Sequence, residues 1–73
     1  MDNVFILSVN DRIIGVYTSH RKATQEMFMD TLPFNYQLTD YSFEFGVEFF
    51  TFTDKALIEK TYTIQEATLD QRA

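Results

Sequence analysis

Few residues of this chain have the types and the spacing that catalysis requires. His20 is the single histidine and cysteine is absent, so a histidine-rich or thiolate metal site cannot form within one chain. Neither Ser19 nor Ser42 lies in the Gly-x-Ser-x-Gly turn that exposes a serine nucleophile. Gly15 and Gly46 are isolated, which excludes a glycine-rich phosphate loop. We therefore expect a protein that is not an enzyme and that uses neither a metal nor another cofactor.

Acidic residues dominate the middle of the chain. From Ala23 to Asp54 there are six acids and no base, namely Glu26, Asp30, Asp40, Glu44, Glu48 and Asp54. Glu44 and Glu48 read as residues four apart on one strand, about 13 Å from each other, which is too far for a glycosidase pair. As a row directed to solvent, they predict a surface that meets a basic groove, including one built for nucleic acid. The alternative is a solvated face that keeps an aromatic strand from aggregating.

Three apolar residues are the predicted exposed hydrophobes. Met29 falls on the polar side of a predicted helix, and Phe50 and Phe52 are out of phase with the strand that precedes them. Exposed apolar residues mark an interface when they are contiguous, and aromatics and methionine are enriched there. The predicted partner-binding residues are therefore Met29, Asp40, Glu44, Glu48, Phe50 and Phe52.

A basic cluster at Ser19-His20-Arg21-Lys22 offers an alternative site. It coincides with a predicted helix start, where free backbone N–H groups, a hydroxyl and two cations could hold a phosphate. In that interpretation Ser19, Arg21 and Lys22 bind a phosphate or nucleotide ligand. The other interpretation is that these basic side chains are simply solvated.

Length, composition and charge limit the class of protein. The chain has 73 residues, of which 45% are hydrophobic and 16% aromatic, and we expect one folded domain over 1–73. Six basic against eleven acidic residues give a net charge of −5, which argues against direct nucleic-acid binding and favours a basic protein partner. No apolar run approaches the roughly 18 residues of a membrane span. The start Met1-Asp2-Asn3 lacks the basic residues of a secretory signal, so we expect a cytoplasmic protein with no membrane association.

The first forty residues predict a hairpin and a helix. Asn3 to Val9 and Arg12 to Thr18 read as strands joined by Asn10-Asp11. The expected cross-strand pairs are Val9 with Arg12, Leu7 with Ile14, Phe5 with Val16 and Ile6 with Gly15, which makes both faces apolar. A helix from His20 to about Thr31 follows, capped by Thr18 or Ser19 and ended by Leu32-Pro33.

The second half predicts strands. Residues 41–49 alternate between apolar and polar types, and the phase changes near Gly46 to Phe50, which indicates a bulge or a turn. Residues 54–60 read either as a turn or as a short helix. A last strand then runs from Ile58 past Ala67 to about Leu69, and we expect the tail Asp70–Ala73 to be frayed.

The predicted fold class is α+β. We expect an antiparallel sheet of four to five strands with one helix on one face, in the order β-β-α-β-β with a possible fifth strand. One short helix covers one side of a sheet, yet the first hairpin is apolar on both sides. Either the last strands fold over as a second layer or another chain covers the spare face, and we expect a homodimer.

A pattern of two strands, a helix and a final strand is carried by Val4–Leu7, Ile13–Ser19, Lys22-Ala23 and Tyr62–Asp70. This pattern resembles that of small uncharacterised phage-type proteins with a strand-strand-helix-strand order. We expect a phage-encoded, non-catalytic inhibitor of a host defence or nucleic-acid-processing complex, of the anti-CRISPR kind, acting in the host cytoplasm. The acidic stretch suits the basic grooves of such complexes. The alternatives are the phosphate or nucleotide binder described above and a homodimeric accessory protein without an inhibitory role.

Overall fold

A computed structural model of the protein describes residues 3–34 and 36–68. The elements in chain order are β1 (Asn3–Val9), β2 (Arg12–Tyr17), α1 (His20–Thr31), a 3-10 turn over Leu32–Phe34, β3 (Gln37–Glu44), β4 (Val47–Thr53) and β5 (Glu59–Thr68). The strands form an antiparallel sheet in the order β2-β1-β5-β4-β3. The α+β class is confirmed, with five strands in the order β-β-α-β-β-β.

The first hairpin has the predicted turn but not the predicted register. Asn10 and Asp11 both adopt left-handed backbone, as a two-residue type I′ turn requires. A bulge next to Leu7 then shifts the pairing by one residue. The observed pairs are Val9 with Arg12, Ser8 with Ile13, Leu7 with Gly15, Ile6 with Val16 and Phe5 with Tyr17. The predicted pairs beyond the bulge are therefore wrong.

Because of this shift, Gly15 lies on the face of the sheet that carries the helix. A methyl group at Gly15 would overlap the ring of Tyr17, which packs against the core. The missing side chain therefore makes room for an aromatic ring of the same strand.

The helix has the predicted boundaries. Ser19 is the N-cap, and its Oγ accepts a hydrogen bond from the Lys22 backbone N–H at 3.1 Å. The helix ends at Thr31, ahead of the predicted Leu32-Pro33 stop. Its buried residues are Ala23, Met27 and Thr31, which are spaced four residues apart and lie on one side of the helix.

The change of phase in the second half is a hairpin turn. Phe45 and Gly46 both have positive φ, 53° and 77°, and Glu44 pairs with Val47 across them. The alternation through 41–49 is therefore not one strand, because the chain reverses at 45–46.

Residues 54–58 form a turn rather than the alternative short helix. The Asp54 Oδ1 accepts hydrogen bonds from the backbone N–H groups of Ala56 and Ile58, both at 2.9 Å. Leu57 is left-handed, with φ 64°, which a helix does not allow. The predicted Leu69 and the tail Asp70–Ala73 lie outside the described residues.

The core lies between α1 and one face of the sheet, which we call the inner face. Its buried hydrophobic residues are Leu7, Ala23, Met27, Phe50, Phe52, Tyr62 and Ile64. Phe50 and Phe52 are 7% and 1% exposed, so the prediction that they are exposed is wrong. Their positions follow from the turn at 45–46, which places even-numbered residues of β4 on the inner face.

The last strands do not form a second layer. β5 pairs with β1, and β4 and β3 extend the same sheet. The opposite, outer face of the sheet is consequently covered by none of the described elements.

Candidate functional site

The β3–β4 hairpin extends beyond the helix. α1 packs mainly on β1, β2 and β5, whereas β3 is the edge strand at the far side of the sheet. Apolar side chains of this hairpin are therefore exposed, and we call them the hairpin surface: Leu38, Tyr41, Phe43 and Phe45. Phe43 is 62% exposed, and Tyr41 packs its ring on Phe50 with 5.0 Å between ring centroids.

Phe45 is the most unusual residue of the hairpin surface. Its φ of 53° is left-handed, a conformation that glycine or asparagine adopts readily and that a bulky residue rarely adopts. Its side chain is fully exposed, so burial of the ring does not offset the strain. Strained residues that stability does not explain are found at functional sites.

The predicted row of carboxylates does not form. Asp40 and Glu44 are exposed on the outer face of β3, whereas Glu48 points from β4 to the inner face, with its side chain 17% exposed. The prediction places Glu44 and Glu48 four residues apart on one strand, whereas the turn between them puts them on opposite faces of the sheet. Because the chain reverses between them, Glu44 and Glu48 also do not have the separation of four residues along one strand that the sequence predicts for this pair of carboxylates.

Glu48 belongs to a polar cluster beside the start of α1. The Tyr41 hydroxyl donates a hydrogen bond to the Glu48 Oε2 at 2.7 Å, and the His20 Nε2 contacts the Glu48 Oε1. The hydrogen bond to Glu48 raises the pKa of Tyr41 above its ordinary value, because losing the proton would break the bond and place two negative charges together. These two contacts connect the start of α1 with both strands of the β3–β4 hairpin.

A groove separates the start of α1 from the end of the β3–β4 hairpin. Its volume is about 410 Å³, and it is lined by Phe5, His20, Phe43, Gly46, Glu48, Ile64 and Glu66. Its polar side chains are two carboxylates and one imidazole. The Glu66 Oε2 accepts a hydrogen bond from the Asn3 Nδ2 at 2.6 Å, and the His20 ring meets the Phe5 ring edge-on. The groove therefore combines apolar walls with net negative charge.

Within residues 3–34 and 36–68, the structure contains no metal-binding cluster. No group of three or more histidine, cysteine, aspartate or glutamate side chains among them is placed to hold an ion.

The predicted phosphate site is engaged in contacts of the helix itself. The Ser19 Oγ accepts the capping hydrogen bond, and the Lys22 Nζ lies 3.0 Å from the Glu26 Oε1 one turn later. Arg21 is exposed. None of these contacts favours a phosphate ligand over a solvated, capped helix start.

Met29 is exposed as predicted, with 57% of its surface accessible. It belongs to α1 and is not part of the hairpin surface, so the six predicted partner-binding residues do not form one patch. Phe50 and Phe52 lie below the hairpin surface in the core, and Glu48 lies in the groove.

The outer face of the sheet has no charge at its centre, where Thr61, Thr63 and Gln65 of β5 lie, and its apolar residues flank that polar row. Ile13 and Val16 are exposed there, and Val4, Ile6 and Phe49 are half-buried. Its carboxylates lie at the margins, where Asp40 and Glu44 belong to the edge strand and Glu59 begins β5. This agrees with the predicted surplus of apolar sheet surface.

Sequence reasoning missed Phe45 and Glu66. A signal for Phe45 was present, since a residue followed by Gly46 between two alternating runs is typical of a two-residue hairpin turn. Glu66 carries no such signal, because only the pairing of β5 with β1 brings it beside Phe5.

The described part of the chain contains no helix with the length and apolar character needed to cross a lipid bilayer.

Comparisons of the chain with protein-family models, curated proteins and solved structures found no match.

Proposed function

We propose that this protein is a non-catalytic interaction domain that binds a basic surface of another protein through its hairpin surface. The observation that carries the proposal is that Phe45, whose fully exposed ring stands on left-handed backbone, belongs to the same hairpin as the exposed aromatics Tyr41 and Phe43, whereas the equally left-handed Leu57 lies outside that hairpin. An exposed aromatic in a strained turn lowers the stability of the free chain. Contact with a partner would bury that ring in an interface, where an aromatic side chain stabilises the complex.

Charge around the hairpin supports a basic partner. Glu48 and Glu66 line the groove beside the hairpin surface, and Asp40 and Glu44 are exposed on the opposite, outer face of the same edge strand. With a net charge of −5, the whole chain attracts a positive surface and repels a nucleic acid.

The partner class that we infer is a nucleic-acid-processing complex. Such complexes have basic grooves for their own polyanionic substrate, and a compact acidic domain with exposed aromatics could occupy one of them. In this proposal the chain is a phage-encoded inhibitor of a host defence complex in the host cytoplasm. The segments that resemble phage-type proteins support this origin.

The outer face supports self-association. Two copies of a chain with charge −5 repel each other unless their contact surface is free of like charges, and the centre of the outer face is uncharged. A two-fold contact uses the same patch on both subunits. We therefore propose a homodimer formed through the outer face, which leaves the hairpin surface of each subunit accessible.

The proposal is tested by affinity capture from bacterial lysate with a matched pair of variants. Phe45→Ser removes the exposed ring, and Leu57→Ser removes an equally left-handed, exposed apolar residue at the other end of β4. We expect the wild type and Leu57→Ser to retain the same basic protein, identified by mass spectrometry, and Phe45→Ser to lose it. Capture should weaken with added salt and with the double reversal Asp40→Lys, Glu44→Lys.

Retention that does not depend on Phe45 would contradict the proposal. So would a retained protein that has no basic surface. If the partner stays bound at high salt and also binds the variant with Asp40→Lys and Glu44→Lys, only the electrostatic part of the proposal is contradicted.

A further inference from the structure

We propose that the groove between α1 and the β3–β4 hairpin binds a guanidinium group, which is the arginine side chain of a basic partner. This inference rests on the proposed function and specifies the chemistry of the contact beside the hairpin surface. The site consists of two carboxylates, Glu48 and Glu66, and two phenylalanine rings, Phe5 and Phe43, around Ile64.

The position of the site follows from the register of three strands. Glu48 pairs with Ile64 across β4 and β5, and with Phe43 across β4 and β3. Glu66 pairs with Phe5 across β5 and β1. The two carboxylates are consequently both on the inner face next to Ile64: Glu48 is its cross-strand partner on β4, and Glu66 lies two residues further along β5. Each lies beside a phenylalanine.

Charge in the groove favours a cation. Its lining contains two carboxylates and no lysine or arginine, and His20 is the lining residue that can carry a positive charge. The Glu48 carboxylate already contacts the His20 Nε2 through Oε1 and accepts the Tyr41 hydroxyl through Oε2, so it lies within reach of polar groups inside the groove. Glu66 receives only the neutral amide of Asn3 among its described contacts.

The start of α1 opposes a cation but does not outweigh the carboxylates. A helix N-terminus carries roughly half a positive charge, and Ser19 already caps this one. Two carboxylates supply up to two full negative charges. The net charge of the two carboxylates and the helix N-terminus at the groove is therefore negative.

The walls of the groove favour guanidinium over ammonium. A planar guanidinium stacks on aromatic rings and donates paired hydrogen bonds to a carboxylate, whereas an ammonium is a compact, strongly hydrated point charge. Phe43 and Phe5 offer ring surface, and the carboxylates offer acceptors at the rim. The groove volume of about 410 Å³ is large enough for one such side chain.

The test uses short peptides and no natural partner. Three peptides of glycine with two arginines, two lysines or two citrullines are titrated into the labelled protein, and backbone amide shifts are followed by NMR. Citrulline has the shape of arginine without its charge. We expect the arginine peptide to shift the amides of Gly46, Glu48 and Ile64, the lysine peptide to bind more weakly, and the citrulline peptide to leave these amides unshifted.

Two variants with the same change of charge locate the site. Glu66→Gln removes a carboxylate from the groove, and Glu59→Gln removes one from the exposed start of β5, away from the groove. We expect Glu66→Gln to weaken binding of the arginine peptide by about fivefold and Glu59→Gln to change it by less than about twofold. If Glu66→Gln fails to fold, Phe43→Leu is the second variant, because it removes an exposed aromatic wall of the groove. We expect Phe43→Leu to weaken binding of the arginine peptide more than binding of the lysine peptide.

Equal weakening by Glu66→Gln and Glu59→Gln would overturn the site, because binding would then follow net charge alone. Equal binding of the citrulline peptide would overturn the requirement for a cation. These results are independent of the capture experiment, in which the loss of Phe45 is the readout. Failure of the groove therefore leaves the proposed function standing, and failure of the capture does not alter the peptide result.

Discussion

Two residues of this protein hold backbone conformations that their side chains disfavour. Among the described non-glycine residues, four have positive φ: Asn10, Asp11, Phe45 and Leu57. Asparagine and aspartate tolerate this region, whereas phenylalanine and leucine do not. Phe45 and Leu57 are also exposed, so neither gains from burial. At these two positions, the residue that is present makes the free chain less stable than asparagine or glycine would.

Replacing Phe45 with asparagine should stabilise the protein and impair binding. Phe45→Asn gives the turn the Asn-Gly pair that type I′ hairpins favour, and we expect the free energy of unfolding to rise by about 1 kcal/mol. Urea denaturation of the variant measures the change. Leu57→Asn is the control, with a gain of the same sign and unchanged partner capture. A loss of stability in Phe45→Asn would mean that the ring stabilises the hairpin and that strain is not the reason for its position.

At the scale of elements, one hydrogen bond joins the helix to the central strand of the sheet. The hydroxyl of Tyr62, buried on β5, donates to the Asp30 carboxylate near the end of α1. Burial and this hydrogen bond to Asp30 both raise the pKa of Tyr62 above its ordinary value near 10. Phenol ionisation is therefore linked to the packing of α1 on β5.

The stability of the protein should fall as the pH rises above about 10. In that range the unfolded chain releases the Tyr62 proton, while the folded chain still holds it. The contribution of Tyr62 is complete below pH 10 and is lost above it. Tyr62→Phe should be less stable than the wild type at pH 7 by about 1 kcal/mol. The difference should narrow between pH 9 and pH 11, as measured by urea denaturation. A constant difference over that range would contradict the linkage.

At the scale of the whole molecule, the sheet has two faces with different surroundings. The inner face carries α1, the groove and the hairpin surface, whereas the outer face is covered by none of the described elements. Exposed apolar residues that form a continuous surface indicate an interface. Ile13 and Val16 are the most exposed residues at its apolar end.

A charge on the outer face should dissociate the proposed homodimer. We expect light scattering at tens of micromolar to give twice the 8.6 kDa chain mass for the wild type and the single mass for Val16→Glu. Phe43→Ser, on the inner face, is the control and should leave the dimer intact. A wild-type mass of one chain at that concentration would exclude the homodimer.

The candidate site was predicted only in part. Asp40 and Glu44 are exposed where the sequence predicts an acidic surface, but the predicted face of Glu48 is wrong, and Phe50 and Phe52 are buried although the sequence predicts them to be exposed. These errors have one cause. The alternation of residues 41–49 was interpreted as one strand, and a turn inside it reverses which residues point to each face.

Local sequence determined the elements whose interactions are local. The cap at Ser19, the stop at Leu32-Pro33 and the turn at Asn10-Asp11 depend on hydrogen bonds and backbone preferences within a few residues, and the structure has all three. Tertiary structure alone decided the strand order, the bulge beside Leu7 and the faces of β4. Side chains alternate with a period of two, so one extra residue or one turn reverses a face, and pairing with a distant strand selects the register. The groove between Glu48 and Glu66 exists only because of that pairing.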